Sequence, residues 1–245
     1  PVLVGRVWIG VVMAAIQEGA HAIAASSYQG GHMEFFKYII DLLKKNDVGF
    51  IKVFGGGGGV IVPEEIRELE AYGVTKIYSP EDGQRMGLKG IIDDIFKRTM
   101  EVDYGAPGDD WKERLARTET LMVSRLISMV EDGAAGREAY DKIKEELRSM
   151  SRRVPVVGIT GTGGSGKSTL EDEFLRRFFA LYPDKRVAVC AIDPTKKKTG
   201  GALLGDRIRM NSLVNERVYM RSLATRESQV EVPLSMPDVI DIYKS

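Results

Sequence analysis

The chain has almost no cysteine, very little histidine and no excess of either charge. Cys190 is the single cysteine in 245 residues, which excludes an intrachain disulfide framework and argues against a cysteine-based zinc site. A reducing, cytoplasmic setting fits. Only His21 and His32 carry imidazole, and neither lies in a cluster of metal-ligating residues. His32 has no carboxylate close by in sequence to orient it as a ligand, so it reads as a helix N-terminal histidine. The 35 basic residues balance the 35 acidic ones, which offers neither a nucleic-acid-binding surface nor a polybasic membrane anchor. Long apolar runs are also missing. Residues 2–13 are apolar but interrupted by Arg6, too short to span a bilayer and without a basic region before them; they read as a strand or loop leading into a helix.

Glycine is abundant, and its placement carries the chemistry. Gly161-Thr162-Gly163-Gly164-Ser165-Gly166-Lys167-Ser168 is a complete GxxxxGK[ST] loop. Residues 154–160 are apolar enough to form the strand that delivers the chain to it. The helix expected from Ser168 to Leu181 has Leu170, Phe174, Phe178 and Leu181 at helical spacing. Glycines let backbone N–H groups close around phosphate oxygens, and the following helix N-terminus favours negative charge. Gly161, Gly163, Gly164, Ser165, Gly166, Lys167, Ser168 and Thr169 therefore form the expected nucleotide site. Lys167 neutralises the β- and γ-phosphates and the Ser168 hydroxyl ligates Mg²⁺.

Magnesium needs carboxylates as well. Residues 186–192 read as a buried strand ending in Asp193-Pro194, which sets Asp193 on the same rim as the loop. Asp206 follows a basic, glycine-rich stretch and is either a second metal-side carboxylate or a helix N-cap. No Asp-x-x-Gly follows a later apolar strand and no Asn-Lys-x-Asp occurs, so motifs alone do not separate ATP from GTP.

Residues 11–103 alternate short β-rich runs with amphipathic stretches, the order of a parallel sheet. Strands are expected at 21–27, 50–54 and 74–78. Helices are expected from Met33 to Lys45, from Pro63, and from a cap at Asp82 towards Met100. Ligands of such sheets bind past the carboxyl ends of the strands. There the sequence places Ser26, Ser27, Gly30 and Gly31 after the first strand and Gly55 to Gly59 after the second. A boundary is expected at 105–110. Beyond it, a charged two-helix connector has Met122, Leu126, Met129 and Val130 on one stripe, a break at 132–136, and a second helix from Arg137 to Met150.

These segments, together with Ile77 to Gly87, Gly200 to Arg207 and Ser222 to Arg226, closely resemble the fused isobutyryl-CoA mutase family. That family joins a cobalamin-binding domain through a helical linker to a metallochaperone-type GTPase and then to a mutase domain. The resemblance implies an α/β chain with two parallel-sheet nucleotide-type domains. These are a partial flavodoxin-like cobalamin-binding domain at 1–104, a helical linker at 105–153 and a partial P-loop GTPase domain at 154–245. It implies adenosylcobalamin, GTP and Mg²⁺ as cofactors. Ser26, Ser27, Gly30, Gly31, Gly55, Gly56, Gly57 and Gly58 would line the slot for the cobalamin nucleotide tail. Lys167 and Asp206 would serve catalysis; Ser168, Asp193 and Asp206 would hold the metal; Ser222 to Arg226 would belong to a switch.

As partners it implies an acyl-CoA substrate on a mutase domain absent from this chain, a homodimer in the full protein and an adenosyltransferase as cofactor donor, with no nucleic acid and no membrane. The parent reaction is the radical interconversion of isobutyryl-CoA and n-butyryl-CoA. The family's DxHxxG loop, whose histidine coordinates cobalt, has no counterpart here, so the sequence reads as a fragment. The competing readings are a stand-alone P-loop NTPase regulatory module with a flavodoxin-like sensor domain, and an inactive fragment.

Overall fold

A computed structural model describes residues 2–26, 30–56, 59–104, 107–131, 133–194, 207, 210–225 and 232–245. The chain divides into two compact units, Pro1–Gly105 and Ala106–Ser245.

The first unit is built from strand–helix repeats. Helix α1 (Val2–Gln17) precedes strand β1 (Ala22–Ser26), helix α2 (His32–Lys45), strand β2 (Lys52–Gly56), helix α3 (Pro63–Tyr72), strand β3 (Lys76–Tyr78) and helix α4 (Pro80–Thr99). The strands form one parallel sheet in the order β1-β2-β3. On α2, Phe36, Ile39, Ile40 and Leu43 are buried at the expected spacing. Pro63 opens α3 with Glu64 and Glu65 in its first turn, where proline costs no hydrogen bond and acids meet the helix dipole favourably.

Three expectations are corrected here. Residues 2–13 form no strand: α1 is continuous from Val2 and buries Val12, Ala15 and Ile16, an i, i+3, i+4 pattern rather than an alternation of two. The second strand starts at Lys52, not Phe50, because the Phe50 ring packs edge-on against Tyr104 at 4.9 Å. The cap of α4 is Ser79, whose Oγ accepts from the Asp82 amide at 3.2 Å, while Asp82 sits at the third helical position and accepts from the Ser79 amide at 3.1 Å.

The second unit begins with helices α5 (Trp111–Ala116), α6 (Thr120–Glu131) and α7 (Gly133–Met150). Helix α8 (Lys167–Leu181), strand β4 (Val187–Pro194), a short 3₁₀ turn at Asn211–Val214, strand β5 (Val218–Thr225) and helix α9 (Met236–Lys244) follow. Strands β4 and β5 pair in parallel from Val187 opposite Val218 to Pro194 opposite Thr225. Period-two alternation decides which face each β5 residue serves. Val218 and Met220 join Leu175 and Phe179 of α8 in one cluster; Tyr219 and Leu223 join Trp111, Met122, Leu126, Ile127, Tyr140, Val239 and Ile242 in another. The connecting helices expected as a separate linker thus share a core with β5 and α9.

Polar links reinforce that core. Buried Arg221 of β5 donates to Glu131 at 2.6 Å and to Ser128 at 3.1 Å, both on α6. Buried Asp238 of α9 pairs with Arg137 at 2.7 Å and Lys144 at 2.9 Å on α7.

Three more expectations change in this unit. Of the break at 132–136, position 132 lies outside the described residues and 133–136 are helical, since Ala134 and Ala135 favour the helix that the glycines weaken. The strand expected at 154–160 does not form: these residues are exposed and make no ladder with any described strand. Val154, Val156, Val157 and Ile159 put apolar groups on both faces of the segment, so a strand here needs cover on both faces, and all four side chains remain exposed. The apolar spacing expected on α8 is buried only in part. Leu175 and Phe179 are buried and Phe178 packs against them half-buried, while Leu170, Phe174 and Leu181 are 62%, 53% and 73% exposed.

Candidate functional site

The phosphate loop keeps the geometry its glycines permit. Gly164 and Gly166 take φ of 79° and 85°, conformations that side-chain-bearing residues rarely adopt. Gly163, Gly164 and Gly166 would each meet nothing within 4 Å if a Cβ were added. Gly166 caps α8 and, as glycine, brings no side chain to its first-turn amides. The amides of Gly163, Gly164, Gly166 and Lys167 meet no backbone acceptor among the described residues. The Lys167 ammonium folds back over the loop and donates to the carbonyls of Gly161 at 2.8 Å and Thr162 at 2.9 Å. A cation above a row of free amides is an anion site: the amine exchanges carbonyl contacts for phosphate oxygens without leaving the loop.

The metal side is described in part. Ser168 lies in the first turn of α8, half-buried. Asp193 closes β4, with its backbone opposite Ala224 of β5; its side chain and the whole of Asp206 lie outside the described residues. Among the described residues no group of three His, Cys, Asp or Glu stands ready for a metal ion. Of the segment assigned to a switch, Ser222 to Thr225 are paired and buried or half-buried in β5, and Arg226 lies outside the described residues.

On the first unit, register places Ser26, Gly56 and Tyr78 side by side at the carboxyl end of the sheet. Ser26, Gly30 and Gly31 are exposed there, and a Cβ on Gly30 or Gly31 would enter open space. Gly55 is different. A Cβ on it would lie 2.4 Å from Ile77 Cδ1 and 2.5 Å from Phe36 Cζ, so its missing side chain makes room for the core. Ser27, Gly57 and Gly58 lie outside the described residues. The Tyr78 hydroxyl donates to Asp94 at 2.7 Å; burial, then that carboxylate, push its pKa up.

The histidines are both accounted for. His21 stacks edge-on against Tyr104 at 5.1 Å, just before β1 and so at the opposite end of the sheet from the rim. His32 is the first residue of α2 and 7% exposed, with Nε2 2.9 Å from Glu65 Oε2. The same oxygen accepts the Val62 amide at 3.0 Å. That hydrogen bond, then His32, lower the Glu65 pKa. Local sequence gave His32 no carboxylate; the fold supplies one from the next helix, and no local signal marks a pair 33 positions apart.

No helix among the described residues is long and apolar enough to cross a membrane. Residues 123–244 match the family described as methylmalonyl Co-A mutase-associated GTPase MeaB. The chain is 50% identical over 242 residues to a fused isobutyryl-CoA mutase of Geobacillus kaustophilus, covering 96% of this chain and 22% of that protein. A fused isobutyryl-CoA mutase of Cupriavidus metallidurans is also 50% identical, over 236 residues, 96% of this chain and 21% of its own length. A putative GTPase of Pyrococcus horikoshii is 38% identical over 137 residues, 56% of this chain and 42% of its own. The chain spans about a fifth of the length of the two mutases. Along 96% of its length it is the counterpart of one segment of the fused isobutyryl-CoA mutases, with a MeaB-type GTPase region over residues 123–244.

Proposed function

We propose that the chain binds Mg²⁺·GTP at Gly161 to Thr169 and cobalamin on the glycine rim of its first unit. In this reading it is the cofactor-handling region of a fused isobutyryl-CoA mutase. The observation that carries it is the phosphate loop: amides at the N-terminus of α8 that meet no backbone acceptor among the described residues, beside the Lys167 ammonium. Lys167 holds the β- and γ-phosphates, and Ser168 offers its hydroxyl to Mg²⁺, with Asp193 and Asp206 on the metal side.

The open space beside Gly30 and Gly31 and the unsatisfied buried Nδ1 of His32 fit a polar ligand on the rim. Neither described histidine offers itself to cobalt, since one is stacked on Tyr104 and the other tied to Glu65. When bound, adenosylcobalamin supplies the radical chemistry of the whole protein; this chain's part is to hold the cofactor and to link its loading to nucleotide state. Acyl-CoA, a second copy and an adenosyltransferase are the partners proposed for the whole protein.

Lys167→Ala removes a charge-assisted hydrogen bond of roughly 1.5–3 kcal/mol, so affinity for Mg²⁺·GTP in calorimetry is expected to fall about ten- to a hundredfold. Unchanged affinity would sink the nucleotide reading.

A further inference from the structure

His32 carries an atom that the fold leaves unanswered. Its Nδ1 is buried and has no hydrogen-bond partner among the described residues, although buried polar atoms are nearly always paired. The environment fixes what kind of atom it is. Glu65 Oε2 lies 2.9 Å from Nε2, and its lowered pKa keeps Glu65 ionised and acceptor-only. Nε2 therefore carries the proton, and in the neutral imidazole Nδ1 is a bare acceptor.

Position follows from helical spacing. Phe36, one turn further along α2 and on the same face, has its ring against Gly55 of β2. His32 is one turn closer to the carboxyl ends of the strands, and its contact with Glu65 sets it between the N-termini of α2 and α3. The neighbouring Gly30 and Gly31 border open space. A pre-oriented, buried acceptor beside an open rim is a discriminating contact: a ligand donor satisfies it, whereas a ligand without one leaves it desolvated and unpaired.

We infer that His32 is a specificity-determining residue of the rim, its Nδ1 accepting a hydrogen bond from a ribose O–H of the nucleotide tail of a corrinoid, with Glu65 as the positioning residue. This rests on the cobalamin reading above. The test uses the intact chain and two probes followed by visible spectrum: adenosylcobalamin, and adenosylcobinamide, the same corrinoid without the nucleotide tail. His32→Gln keeps a donor for Glu65 and loses the Nδ1 acceptor; His32→Asn keeps an acceptor near the Nδ1 position. His32→Gln is expected to weaken adenosylcobalamin about tenfold and adenosylcobinamide not at all, with His32→Asn losing less.

Equal losses on both probes, or none, would overturn the inference while leaving the cobalamin reading intact. No binding of adenosylcobalamin by the unaltered chain would remove the cobalamin reading and this inference together. Nitrogen-15 spectra of the imidazole in the free protein give a readout independent of any corrinoid: the tautomer with its proton on Nε2 is expected, and a proton on Nδ1 would overturn the acceptor role.

Discussion

The two glycine-rich rims of this chain use the same residue for opposite ends. In the first unit Gly55 is buried, and Phe36 and Ile77 occupy the space its side chain would take. In the second unit Gly163, Gly164 and Gly166 are exposed with nothing within 4 Å. One glycine lets a core close; the others keep a backbone open to a ligand. The sheets differ in a related way. Beneath the first rim, β2 buries Val53 and Phe54 among apolar neighbours, whereas β5 buries Arg221 against α6.

The contrast is broken most severely at Arg221. Arg221→Ala removes the buried guanidinium from Glu131 and Ser128 and is expected to cost the second unit about 3–5 kcal/mol, seen as faster hydrogen exchange in β5 with β2 unchanged. An equal response in both units would mean that they do not unfold separately. Next in size is the glycine pair. Gly55→Ala forces a methyl into Phe36 and Ile77 and is expected to cost about 1–3 kcal/mol in urea denaturation. Gly163→Ala has room and is expected to stay within about 0.5 kcal/mol. Equal costs would erase the distinction between a packing glycine and a ligand glycine.

A smaller loss than that of Gly55→Ala belongs to the cap of α4, where Ser79→Ala is expected to cost the first unit about 1 kcal/mol. Its pH dependence has a fixed sign. Burial alone would raise the Asp82 pKa, but the Ser79 amide and the charges of Lys76 and Arg85 outweigh it and lower the value. The stabilisation from Asp82 is therefore present above its unfolded pKa, near about 3.9, and lost as pH falls through the lowered folded value. An acid titration of α4 exchange rates checks this.

Sequence made the phosphate loop and α2 legible because each is a local pattern: glycine spacing in one, Phe36, Ile39, Ile40 and Leu43 in the other. It failed where a segment carries more apolar surface than one neighbour covers. On α8, two apolar stripes compete, and spacing alone does not say that Leu175 and Phe179 meet the sheet while Leu170 and Phe174 do not. Residues 154–160 have the composition of a strand, but a strand also needs a ladder. Glu65 was legible only as a first-turn acid, because its meeting with His32 depends on how two helices pack.

The core that joins Trp111 and Met122 to Leu223 and Ile242 spans nearly the whole of the second unit in sequence. Each parallel strand of the first unit meets a partner only one strand–helix repeat away. Loop closure over longer separations slows folding, so the two units are expected to mature at different times on a ribosome. Pulse-labelled exchange during refolding is expected to protect β2 before β5. Until α9 has been synthesised, the part of that core which Val239 and Ile242 complete stays open to water, and a newborn chain at that stage is a natural client for a chaperone.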